Sequence, residues 1–143
     1  MAGLDFYSSE SYILGGREPM GVYKTKVFSR FARKAGLEND ALLEAARAVA
    51  SGQWDADLGG GVFKQRVARM GGGKSGGFRT LLACRAGGSC FFVYGFAKSD
   101  LGNIRDDEAE QFKKMARHVL ALTDAQLQRL IETDQFEELV KDA

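Results

Sequence analysis

Three strand-length runs separated by glycine clusters constrain this chain most. They are VFKQRVAR (62–69), FRTLLACR (78–85) and CFFVYGF (90–96), parted by MGGGKSGG (70–77) and AGGS (86–89). Glycine clusters end regular structure and open turns, so the runs predict three consecutive strands in a meander. Side chains alternate across a strand. Phe63 and Val67 therefore take one face of the first run, and Lys64 and Arg66 the other. In the third run the alternation predicts Phe92, Tyr94 and Phe96 on one face against Phe91, Val93 and Gly95.

The charge on this stretch is one-sided. Residues 62–99 carry Lys64, Arg66, Arg69, Lys74, Arg79, Arg85 and Lys98 and no Asp or Glu. Residues 1–57 hold seven basic and eight acidic side chains and residues 100–143 six and eleven, so the formal net charge of +1 hides a cationic middle. Cations without carboxylates nearby in sequence point to a polyanion, most often nucleic acid. The plainer alternative is a solvated sheet edge with ordinary surface charge.

Outside the meander, residues 22–28 alternate like a strand. Ser29 is placed to cap a short helix to Ala35, with Phe31 and Ala35 inward and Gly36 as its stop. Asn39 caps a second helix carrying Leu42, Leu43, Ala46, Val49 and Ala50 at helical spacing, ended by Gly52. Residues 54–61 read as a loop. Asp106 opens a helix to Leu122 whose apolar stripe is Ala109, Phe112, Met115, Ala116, Val119 and Leu120. Thr123 and Gln126 form a capping-box pattern for a last helix, and residues 136–140 read equally as a helix end or a short strand. The order β-α-α-β-β-β-α-α predicts an α+β fold, helices on a small antiparallel sheet.

At 143 residues the chain suits one domain. No apolar run approaches the roughly 18 residues that span a bilayer, and no basic start followed by an apolar stretch marks a secretory signal. The expected location is the cytoplasm. Residues 1–20 show no sustained period and read as a flexible leader ahead of a domain from 21 to 143. Cys84 and Cys90 fall on neighbouring strands, close enough to touch across a hairpin; in a reducing compartment they are expected as buried thiols, with a structural disulfide as the minority reading. Two thiols and a single distant His118 make no zinc ligand set, and histidine-based nucleophilic catalysis would have to use His118. No metal or cofactor is expected. GGGKS (71–75) is not a nucleotide phosphate loop, because Ala68 stands where that motif needs glycine and a strand follows where it needs a helix.

Lys64 and Arg66 lie two apart on one strand, Arg79 opens the next and Tyr94 sits on the third, so adjacent strands would bring all four together. Such a set suits RNA, which carries its own nucleophile in the 2′-hydroxyl. Cleavage needs a base for that proton, cations for the phosphorane and an acid for the 5′-oxygen. Lysine crowded by cations serves as base, arginine binds phosphate with two prongs, and tyrosine stacks a nucleobase or moves a proton.

KSGGFRTLLACRAGG and CFFVYGFAKSD, preceded by DADLGGGVFKQRVAR and VYKTKVFSRFARKAG, resemble the RelE/ParE superfamily of bacterial toxins, nearest its RelE/HigB-like branch. The resemblance runs from Gly21 to the C-terminus. It implies a RelE-like fold, a helical hairpin on a twisted antiparallel sheet, and a metal-independent toxin that cleaves mRNA on translating ribosomes, in contact with 16S rRNA. It also implies a cognate antitoxin, through which the complex binds operator DNA. Carried over by motif, Arg79 is similar to the transition-state arginine, Lys64 and Arg66 to the basic pair, and Tyr94 or Phe96 to the stacking residue. Lys98 stands near the basic end of the last strand, and Arg69, Lys74 and Arg85 would add RNA contacts. Lys64 is the first choice of base and Lys74 the second. Three rival readings stay open: a ParE-like DNA gyrase poison, a non-catalytic nucleic-acid-binding module, and an inactive toxin kept to bind antitoxin.

Overall fold

The computed structural model describes residues 19–67, 77–85, 88–97 and 106–140. Its strands are β1 (Val22–Thr25), β2 (Ala56–Gly59), β3 (Val62–Val67), β4 (Phe78–Cys84), β5 (Cys90–Ala97) and β6 (Phe136–Glu138). Its helices are α1 (Lys26–Ala35), α2 (Asn39–Ala50), α3 (Asp106–Leu120) and α4 (Asp124–Glu132). The six strands among the described residues join one sheet in the order β2-β3-β4-β5-β1-β6.

The meander forms as the glycine spacing predicts, but the sheet is mixed rather than antiparallel. β1 runs parallel to β5, with Val22 opposite Cys90 and Lys24 opposite Phe92. A parallel neighbour needs only a crossover of a dozen residues or more, and the helical hairpin with β2–β4 supplies one. Residue pattern identifies a strand without stating its direction. β6 then covers the outer edge of β1, Tyr23 opposite Glu138, which resolves the ambiguous C-terminal segment as a strand.

β1 is shorter than its alternation suggests. Thr25 Oγ1 accepts a hydrogen bond from Phe28 N at 3.1 Å, capping α1 four residues before the expected Ser29. Ser29 instead lies buried within the helix and donates to Glu137 Oε1 at 3.3 Å. Phe28, stacked on Phe92 at 5.0 Å between centroids, decides the matter by turning the chain into the core. The Thr123–Gln126 capping box of α4 forms as read, each side chain accepting from the other's backbone N–H.

β2 falls where the sequence predicts a loop. It is an edge strand held by pairing to β3, Ala56 opposite Lys64, rather than by any apolar period. The turn between them needs left-handed backbone at three successive residues, and Gly59, Gly60 and Gly61 adopt it with φ of 89°, 65° and 85°.

Helices cover both faces of the sheet. On one face α1 and α2 pack Phe28, Ala32, Leu42, Ala46 and Val49 on Val67, Leu82 and Phe92. On the other α3 packs Ala116 and Val119 on Val62, Leu81, Ala83, Phe91 and Val93, with Leu127 of α4 alongside. Met115, expected in that stripe, is exposed. Each fully buried Leu or Phe contributes about 1.5–3 kcal/mol. Cys84 and Cys90 stand opposite one another at the β4–β5 hairpin end, Cα atoms 4.2 Å apart, and are joined as a disulfide rather than left as thiols. No described helix is long and apolar enough to cross a membrane. Of residues 1–20, only Pro19 and Met20 fall within the described residues; Met20 N donates to Gly88 O at 3.1 Å.

Candidate functional site

The register sets two rows of side chains across β3, β4 and β5. Arg66 pairs with Arg79, and Arg79 with Phe96. Lys64 pairs with Leu81, and Leu81 with Tyr94. Directly paired residues share a face, so Lys64, Arg66, Arg79 and Tyr94 lie together, on the face that α3 covers further along at Val62 and Ala83.

Tyr94 reaches this face only through a bulge. The β4–β5 register shifts between Leu81 and Leu82: Leu82 opposes Phe92, yet Leu81 opposes Tyr94, leaving Val93 as an extra residue. A bulge breaks simple alternation and re-aims the side chains beyond it. Val93 and Tyr94 therefore both pack on the α3 side, as does Phe91. Phe92 points to α1–α2, and Gly95 takes the same side: a Cβ there would lie 2.3 Å from the Phe31 ring of α1. The expected grouping of Phe92 with Tyr94 and Phe96 is thus corrected.

Each polar group has a distinct setting. Arg66 is pinned by Asp55, whose Oδ2 accepts from its backbone N at 2.7 Å and from Nε at 3.4 Å. Arg79 is half-buried, and its Nη1 is enclosed without a hydrogen-bond partner among the described residues. A buried guanidinium nitrogen without an acceptor is costly, and an incoming phosphate oxygen would satisfy it. The Tyr94 ring lies 5.1 Å from Phe112 of α3 and 6.1 Å from Phe96. Phe96 is itself only 5% exposed, so its ring is not open for stacking.

The remaining expected RNA contacts separate into two groups. Arg85 is exposed just beyond the far end of β4, six residues and roughly 20 Å along the strand from Arg79, and does not join the cluster. Arg69, Lys74 and Lys98 lie outside the described residues. Two residues of the site escape the sequence reading. Phe112 reads there as helix core, which it partly is. Asp55 lies eleven residues from its arginine and outside the carboxylate-free stretch, and no local signal links the two.

Fold and site together define a small α+β protein with a cationic sheet face edged by aromatic rings. The model of the RelE toxin of the RelE/RelB toxin–antitoxin system matches residues 20–139, and the chain belongs to this RelE toxin family. It is a toxin of a toxin–antitoxin module, from a family whose toxins pair with antitoxins and are generally ribonucleases. No curated protein matches the chain.

Proposed function

We propose that the chain is an mRNA endonuclease that acts on translating ribosomes without a metal, through attack of the 2′-hydroxyl on the adjacent phosphate. The observation that carries this is the enclosed Nη1 of Arg79, without a partner among the described residues and directly across the strand pair from Arg66. Two guanidiniums on one face present a fork for phosphate where charge accumulates in the phosphorane.

In this reading Arg79 and Arg66 neutralise the phosphorane. Lys64, one row away, takes the 2′-hydroxyl proton as general base. The Tyr94 ring stacks a neighbouring base, and its hydroxyl returns a proton to the departing 5′-oxygen. The P–O5′ bond breaks as the 2′-O–P bond forms, leaving a 2′,3′-cyclic phosphate and a 5′-hydroxyl. Lys74 is the alternative base, and Arg69 and Lys98 extend the RNA contact. The partners are mRNA, the ribosome with its 16S rRNA, and an antitoxin whose acidic or apolar segment covers the cationic face and carries the complex to operator DNA. The site of action is the cytoplasm.

The test is to map mRNA 5′ ends in a translating extract with and without the protein, and again on naked mRNA. New ends within codons only under translation support the proposal. Cuts on naked RNA as well remove the ribosome dependence. No cuts in either overturn the nuclease reading.

A further inference from the structure

The segment before β2 latches onto the site strand. Asp55 N donates to Lys64 O at 3.1 Å and to Gln65 Oε1 at 2.9 Å. Gln65, buried, returns Nε2 to Gln53 O at 3.3 Å, and its carbonyl accepts from Thr80 Oγ1 at 2.8 Å. The Asp55 backbone is thus fixed beside Lys64 and Gln65 before its carboxylate touches Arg66.

That carboxylate holds the guanidinium from behind. It meets Nε, the inner nitrogen, at 3.4 Å. Among the described residues nothing is bonded to the two outer nitrogens, which leaves them for a two-pronged contact with phosphate. Asp55 also places a negative charge beside one of two arginines on paired positions, which would otherwise repel. The Arg66 and Asp55 side chains are 45% and 31% exposed, so their ion pair does little for stability. Its consequence is where the guanidinium points.

We propose that Asp55 is a positioning residue, gripping Arg66 through Nε so that its outer nitrogens face the phosphate bound by Arg79. This rests on the nuclease reading above. The experiment is single-turnover cleavage of 5′-labelled mRNA on programmed ribosomes, titrated with toxin, for the wild type, Asp55→Asn, Arg66→Ala and the double variant. Asn keeps an oxygen for Arg66 N and loses the charge. The rate at saturation should fall about tenfold, as for a misplaced catalytic group. Half-saturation should not rise, because the face becomes more positive. In the Arg66→Ala background the change should cost nothing further, since Asp55 acts only through that side chain. Asp55→Glu, which keeps the charge but lengthens the reach, should also lower the saturating rate and serves if the Asn variant unfolds.

A saturating rate within about twofold of wild type for the folded variants, or a loss that adds in full to that of Arg66→Ala, overturns the proposal. An inactive wild type on programmed ribosomes and naked mRNA overturns the nuclease reading and this proposal with it. An active wild type matched by its Asp55 variants overturns this proposal alone.

Discussion

Tyr94 stands opposite Leu81 rather than Thr80, because Val93 is an extra residue in β5. Unbroken alternation would pair Tyr94 with Thr80 and turn its ring into the helical hairpin, behind the sheet from Arg79. One bulged residue therefore decides whether the aromatic side chain shares a face with the cations.

Arg79→Ala should lower mRNA cleavage by about 10²–10³-fold, the usual loss when a preorganised donor to a developing charge is removed. Among the described residues Nη1 has no partner to lose, and its burial is a cost that the substitution removes, so circular dichroism should match wild type and thermal melts should show a stability loss of no more than about 1 kcal/mol. A folded variant that cleaves at the wild-type rate would remove Arg79 from the site.

Phe112→Ala should free the Tyr94 ring, whose centroid lies 5.1 Å from that of Phe112. Such ring pairs contribute about 0.5–1.5 kcal/mol beyond their buried area. The variant should be destabilised in urea and should cleave more slowly at saturating substrate even where fully folded. Tyr94→Phe keeps the ring pair and should retain stability, so cleavage by that variant isolates the hydroxyl.

Gly61→Ala should destabilise the protein more than Gly52→Ala, measured by denaturant midpoint. Both glycines have left-handed backbone, with φ of 85° and 88°. That strain costs about 1–2 kcal/mol in either case. Only at Gly61 would the new Cβ also lie 2.8 Å from Leu120 Cδ1 and 3.1 Å from the Cys84 carbonyl; at Gly52 it meets nothing within 4 Å. Equal losses would contradict the close seating of the end of α3 on the β2–β3 turn.

Tyr23 has its phenol pKa raised, first by burial and then by the carboxylates of Glu138 and Asp124. A raised folded value means the fold favours the neutral phenol. That contribution is whole below the ordinary tyrosine value of 10.0 and is lost as pH rises through the folded value. Thermal melts above pH 10 should therefore fall more steeply for wild type than for Tyr23→Phe, whose ring keeps the stack on Phe91. Parallel curves would rule out Tyr23 as a source of alkaline sensitivity.

Much of this molecule is determined locally and is legible in the chain. Glycine clusters mark the meander, alternation puts Lys64 and Arg66 together, and the Thr123 capping box starts α4, because each depends on neighbours a few residues apart. The family motifs are legible for the same reason: they are contiguous runs. What only the tertiary structure decided depends on partners distant in sequence. Phe28 stacking on Phe92 cuts β1 short and makes Thr25 the cap. The parallel seat of β1, the edge strand β2 and the strand identity of residues 136–138 come from backbone pairing, which any side-chain pattern of the right length permits. The bulge at Val93 sets the face of Tyr94, and Asp55 finds Arg66 across a hairpin. Sequence thus chose the chemical groups of the site, while strand register, a property of two strands at once, chose which of them meet.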